Sequence, residues 1–311
     1  MSPADSAYPR DLIGYGETPP HAQWPGDARI AVSIVVNYEE GAEYSILHGD
    51  GHSESILSEV AGLSQLPGQR EVNIESMYEY GSRAGFWRVM RILQERELPV
   101  TIYACGMALE RNPAAAEAIA RTGWEVCSHG WRWIDYHGMD EALEREHMAR
   151  NVDSLTRLIG RRPVGWYTGR PSQNTRRLVV EHGGFLYDSD GYADDLPYWE
   201  TVGGQPHLIV PHQFDNNDSK LVHVNGFSYG GHYEQYLRDN FDMLYAEGAE
   251  RPKMMTISLH SRIIGRPGRA MALIRALDHI RRHDRVWFTD RQAIARHWAA
   301  THPAATYPTG G

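Results

Sequence analysis

The chain has 311 residues, 41% of them hydrophobic and 23% charged, a composition that supplies a sizeable core and excludes a disordered protein. Its formal charge of -9 excludes the Lys- and Arg-rich surface that a polyanionic partner requires, so no nucleic acid is expected. No run approaches the roughly 18 apolar residues of a membrane span, and the opening "MSPADSAYPRDLIGYGETPP" lacks a basic stretch followed by an apolar core, so no membrane contact and a cytoplasmic location are expected.

Residues 1–28 read as an N-terminal arm, after which short runs rich in Val and Ile alternate with segments of helical period. "RIAVSIVVNY" (29–38) is the first predicted strand. An irregular stretch, 40–75, follows, and its "HGDGHSES" reads as a lid. "SMYEYGSRAGFWRVMRILQERE" is helical, "PVTIYAC" (99–105) and "WEVCSH" (124–129) are strands, and "MDEALEREHMARNVDSLTRLIG" is a helix with Leu143, His147, Val152, Leu155 and Leu158 near one face. "PVGWYTG" (163–169), "GFLYDSD", "PHLIVPH", "KMMTISLH" and "RVWFTD" bring the total to about eight candidate strands, with a second irregular segment at 190–230. The tail 302–311 reads as flexible. Cys105 and Cys127 lie in apolar segments and read as buried free thiols.

This alternation predicts an α/β fold with a parallel sheet, closed into a single distorted (β/α) barrel over 1–311. In such a barrel the chemistry sits at the C-terminal ends of the strands. The first polar residues there are Asn37, Tyr38, Glu39 and Glu40, then Ser128 and His129, Thr168 and Arg170, Asp188 and Asp190, and finally His260. Alone, each reads equally well as a cap or a satisfied structural group. Together they form the set a hydrolase needs, with Glu39 as the water-activating base and Glu40 as a substrate ligand or structural partner.

In order along the chain, "NYEE" (37–40), "SHGWRW" (128–133), "GRP" (169–171), "DSDGYADDLPYW" (188–199) and "SLH" (258–260) resemble the motifs of the polysaccharide deacetylase superfamily, the NodB-homology or carbohydrate esterase 4 fold. In this resemblance the metal-binding Asp corresponds to Glu40 and the second metal-binding His to Trp133, so only His129 remains of the usual ligands. An indole has no lone pair to offer Zn²⁺. The resemblance therefore implies no metal cofactor, unless His137 or another loop imidazole rebuilds a site.

Longer stretches, among them "YPRDLIGYG" (8–16), "ESMYEYGSRAGFWR" (75–88), "CSHGWRWIDY" (127–136), "GWYTGR" (165–170) and "DDLPYW" (194–199), resemble the metal-independent allantoinases of the PuuE type. That resemblance implies a homotetramer and hydrolysis of a small cyclic ureide, allantoin to allantoate. Glu39 is then expected to take the water proton, His129 or His260 to protonate the departing nitrogen, and Arg170 to hold the oxyanion. Trp131, Trp133, Tyr167, Tyr192 and Trp199 are expected to wall the heterocycle, with Asp190 and Asn216 or Asn217 reading its edges. The alternatives are a metal-dependent cyclic imide hydrolase or carbohydrate N-deacetylase, and a non-catalytic binding protein.

Overall fold

Among residues 10–60 and 62–304, which the computed structural model describes, nine strands form one sheet. Strand β1 (Ile30–Tyr38) leads through an irregular segment to helices α1 (Val72–Tyr80) and α2 (Phe86–Gln94). Next come β2 (Val100–Ala104), α3 (Gly106–Arg111), α4 (Pro113–Thr122), β3 (Glu125–Ser128), α5 (Glu141–Ile159), β4 (Gly165–Trp166) and α6 (Thr175–His182). The chain continues with β5 (Tyr187–Asp188), β6 (Tyr198–Val202), β7 (Gln205–Ile209), α7 (Gly230–Glu247), β8 (Lys253–His260), α8 (Pro267–Ile280), β9 (Val286–Thr289) and α9 (Arg291–Thr301).

The strand order is β6-β7-β5-β4-β3-β2-β1-β8, curled into the expected distorted (β/α) barrel. One edge of β1 is shared: Ile30–Ser33 pair with β9, and Ile34–Tyr38 pair with β2. Its other edge pairs with β8 from Ile30 to Asn37. Every residue of β1 is buried, which is why its sequence is nearly continuously apolar rather than alternating. Among the described residues no strand pairs with the far edge of β8 beyond a single bridge between Asn217 and Ser258. There the Gln213 side chain imitates a backbone: its Oε1 accepts from the Thr256 N–H at 2.7 Å and its Nε2 donates to the Met254 carbonyl at 3.2 Å.

Two details differ from the sequence pattern. Strand β6 is additional, and it runs antiparallel to β7 across the Gly203–Gly204 turn, so "YWETVGGQPHLI" is a hairpin and not a loop followed by a strand. On α5 the buried face is Glu144, Met148, Val152, Leu155 and Ile159, and Leu143 is exposed. A carboxylate looks like a surface residue in a hydropathy pattern. Glu144 is buried because the Ser172 and Thr175 hydroxyls both donate to it.

The arm is anchored by Trp24, buried against Trp287 and Trp298, with its indole N–H donating to the Lys253 carbonyl at 2.8 Å. His302, expected to begin a flexible tail, instead stacks on Trp298 with ring centroids 4.1 Å apart. The rest of that tail from 305 onward, like residues 1–9 of the arm, lies outside the described residues. Both cysteines are free and buried. No helix among the described residues is long and apolar enough to cross a membrane.

A π-turn over Gly81–Gly85 joins α1 to α2 and brings Gly85 against the loop after β8. A Cβ on Gly85 would stand 2.0 Å from the Ser261 carbonyl oxygen, which belongs to backbone and has nowhere to retreat. Gly85→Ala is therefore expected to destabilise the protein by about 1–3 kcal/mol, read from its denaturant midpoint, through overpacking.

Candidate active site

The ends of β1, β3, β4 and β8 deliver Glu39, His129, Arg170 and His260 to one cavity of about 240 Å³. Trp133 and Tyr167 form part of its wall, as do Ile56, Leu57 and Phe214. The Ile56–Leu57 step, and not "HGDGHSES" itself, borders the cavity, because that loop is tied down by the Arg132–Asp50 ion pair at 2.5 Å.

Glu39 is 1% exposed and ringed by basic side chains. Its Oε1 lies 3.1 Å from His129 Nε2 and 3.3 Å from His260 Nε2, and its Oε2 lies 2.7 Å from Arg262 Nη2. The Arg262 contact is close enough for an ion pair but is not aligned as a hydrogen bond, which leaves Oε2 without a donor. Burial works to raise the Glu39 pKa, but the His260 and Arg262 charges outweigh it and hold the carboxyl well below its usual range.

The proton positions follow from the partners. His129 Nδ1 faces the Tyr167 carbonyl at 2.9 Å and must donate to it, since a carbonyl only accepts. Its Nε2 faces Glu39 Oε1, so the ring links that carboxylate to the backbone just after β4. His260 is likewise placed between two carboxylates, with Nδ1 2.6 Å from Asp218 Oδ1. Burial disfavours its charge, yet Glu39 and Asp218 push it up to about 9. The other Asp218 oxygen accepts the backbone N–H groups of His260 and Ile264, which fixes the carboxylate.

Arg262 and Asp218 carry much of this geometry, and sequence reasoning missed both. Arg262 lies two residues beyond the "SLH" motif, where no strand or helix period pointed to it. Its guanidinium spans from the Leu57 carbonyl to Glu39 and Glu40 and lies 4.2 Å from the Tyr78 ring centroid. Asp218 sits in the irregular "FDNNDSK" segment, where no spacing pointed to it.

Several expected ligands lie elsewhere. Trp199 stands apart from the cavity: its indole N–H donates to the His302 carbonyl at 2.7 Å, on the packed face of β6. Asn216 is buried between Asn240 and Gln213, and its neighbour Asn217 lines the cavity instead. Asp190 borders a different cleft, where it accepts from the Thr168 and Gly169 N–H groups and so shapes the turn that carries Arg170. Glu40 faces the adjoining cleft beside Glu43 and Arg111. Trp131 and Tyr192 do not line the cavity. Trp131 stacks under Arg150, and the Tyr192 hydroxyl meets that of Tyr167.

Arg170 hydrogen-bonds the Trp133 carbonyl at 3.0 Å and stacks 4.2 Å from that indole, while its Nε–H has no protein partner. The Ser219 hydroxyl, on another cavity-lining residue, is also unpartnered. An acceptor on Glu39, a donor on Arg170 and a hydroxyl on Ser219 thus wait around a small, mostly apolar space.

The family model for polysaccharide deacetylase matches residues 68–183. A Schizosaccharomyces pombe protein named as a polysaccharide deacetylase is 43% identical over 314 residues, covering 94% of this chain and 98% of its own. The chain belongs to the polysaccharide deacetylase family. Within it, the crystal structure of PuuE allantoinase is 57% identical with a TM-score of 0.93, covering 95% of this chain and 99% of that one. A Pseudomonas aeruginosa structure described as a polysaccharide deacetylase is 56% identical with the same TM-score and coverage. The family resemblance makes the chain a hydrolase of carbon–nitrogen bonds.

A zinc ion, the usual metal of family members, does not suit this donor set. Both imidazoles share one oxygen of Glu39, Arg262 stands at the other, and Trp133 has no lone pair to give. Exposed His137 does not line the cavity. Among the described residues, the only His/Asp trio with ligand atoms all within 4.8 Å of one another is Asp242, His279 and His283.

His260 has a folded-state pKa near 9 against an ordinary 6.5, so the stability it contributes is complete below 6.5 and is lost as pH rises through about 9. An imidazole resonance titrating near 9 in NMR spectra, and moving to lower pH in Asp218→Asn, is the expected signature. Arg262→Met leaves the buried Glu39 without its guanidinium partner and is expected to cost about 3–5 kcal/mol in urea denaturation.

Proposed function

We propose that the chain opens the hydantoin ring of allantoin to give allantoate, using side chains in place of a metal. The observation that carries this reading is the Asp218–His260–Glu39 chain of charges ending in a cavity of about 240 Å³. That volume lies below the roughly 300–1,000 Å³ of drug-sized sites. It suits a small flat heterocycle, and the unpartnered groups of Glu39, Arg170 and Ser219 supply what ureido N–H and C=O groups need. Likeness to the PuuE allantoinase structure over 95% of the chain supports the same substrate. The deacetylase names of other relatives favour a second reading, removal of an acetyl group from an amino sugar.

In the proposed reaction a water oxygen bonds to a ring carbonyl carbon and the C–N bond breaks. The departing nitrogen takes its proton from His260, which is charged at neutral pH. Glu39 takes the water proton. A carboxylate held so acidic is a poor base in the resting site, but His260 is the strongest of the charges holding it down. Loss of the imidazolium proton releases Glu39, so acid and base act as a coupled pair. Arg170, through its free Nε–H, meets the developing oxyanion.

The same reading includes a homotetramer, for which Leu12 and Ile13 of the arm, 71% and 83% exposed, offer apolar contact surface. Purified protein is expected to convert allantoin at a rate unchanged by chelator, with kcat falling about 10²–10⁴-fold in Glu39→Gln. Turnover of N-acetylglucosamine oligomers, lost on chelation and restored by zinc, would establish the second reading instead.

A further inference from the structure

Away from the cavity, Asp242 on α7, His279 near the end of α8 and His283 just beyond it bring three ligand atoms within 4.8 Å of one another. His279 and His283 are one helical turn apart, with ring centroids separated by 5.0 Å. His283 Nδ1 lies 3.1 Å from the His279 carbonyl and must donate to it, so the Nε2 lone pair is free. Metal-binding histidines are oriented by such a hydrogen bond from the second ring nitrogen to a backbone carbonyl. Phe241 and Tyr245 hold the His283 ring edge-on at 4.9 and 5.1 Å. His279 Nε2 already approaches Asp242 Oδ1 at 2.7 Å, and this pair joins the two helices.

We infer that these three side chains form a binding site for Zn²⁺ that staples α7 to α8. Two imidazole nitrogens and a carboxylate oxygen are a donor set zinc accepts, with water as the fourth ligand. Bonds of about 2.0–2.1 Å in tetrahedral geometry put donors roughly 3.4 Å apart, so the His279–Asp242 pair opens slightly while His283 moves inward. The ion takes the place of the His279–Asp242 hydrogen bond, and the neutral His279 ring then carries its one N–H on Nδ1.

The topology separates this site from the chemistry. Asp242 and His279 lie where α7 and α8 hand over to the starts of β8 and β9, whereas the catalytic cavity gathers the C-terminal ends of the strands. The two sites occupy opposite poles of the barrel. Purified protein can therefore carry zinc and still hydrolyse its substrate without it.

Chelator-stripped full-length protein, titrated with ZnCl₂ by calorimetry and with Co²⁺ by visible absorption, tests the site. One equivalent is expected per chain, with zinc raising Tm. His283→Gln and the exposed-site variant Asp242→Asn are each expected to weaken binding at least tenfold and to abolish the Tm shift, while allantoin turnover stays as in the parent. The inference is overturned by a parent protein that binds no equivalent, or by an equivalent that survives both substitutions. It is overturned equally if the equivalent is lost in His129→Gln, which would move the metal to the catalytic cavity. Loss of zinc without loss of turnover also separates this inference from the proposed function, which the allantoin assay judges alone.

Discussion

A carboxylate without solvent has to be neutralised by what surrounds it, and Glu39 is the point where that requirement organises the molecule. Three basic side chains answer it, from the ends of β3 and β8 and from the turn after β8. None of these side chains is left to Glu39 alone. Asp218 takes the far side of His260, the Tyr167 carbonyl takes the far side of His129, and Glu40 with the Leu57 carbonyl takes the rest of Arg262. The charges form one buried network whose members are mutually held, which gives both a fixed geometry and a strong dependence of each proton on the others.

Trp133 shows how the same network shapes the cavity. Its indole has guanidinium groups against it from two directions, Arg170 at 4.2 Å and Arg262 at 5.1 Å from the ring. It thus contributes an apolar wall and, at the same time, an electrostatic partner for both arginines. Arg262 also grips the carbonyl of Leu57, a residue in the left-handed region with a φ of 51°. A leucine rests there only when its neighbours hold it. The wall of the cavity and the charge of its carboxylate are consequently set by one side chain.

Much of this was readable beforehand because strands buried on both faces announce themselves as unbroken apolar runs, and in a parallel barrel their ends carry the chemistry. Glu39, His129, Arg170, His260, Trp133 and Tyr167 come together at one cavity for that reason. Position after a strand fails as a guide where the chain is irregular. Asp218 meets His260, which lies 42 positions further along the chain, and Arg262 lies beyond its strand in a turn whose direction no periodicity encodes. Trp199 misled in the opposite way. It sits in a motif, but on an edge hairpin whose tryptophan faces the C-terminal helix instead of the barrel mouth. Glu144 shifted the face of α5 because two hydroxyls make a buried carboxylate tolerable, and hydropathy does not register partners.

Gln213, standing in for a strand along β8, has a further meaning. A regular strand in that place would have sealed the barrel with side chains pointing alternately inward and outward, and no carboxylate could have turned both oxygens toward the end of its neighbour. With one amide supplying the seam, the following residues are free to coil, and Asp218 reaches the His260 ring and its backbone together. The gap in the staves is what lets the relay in.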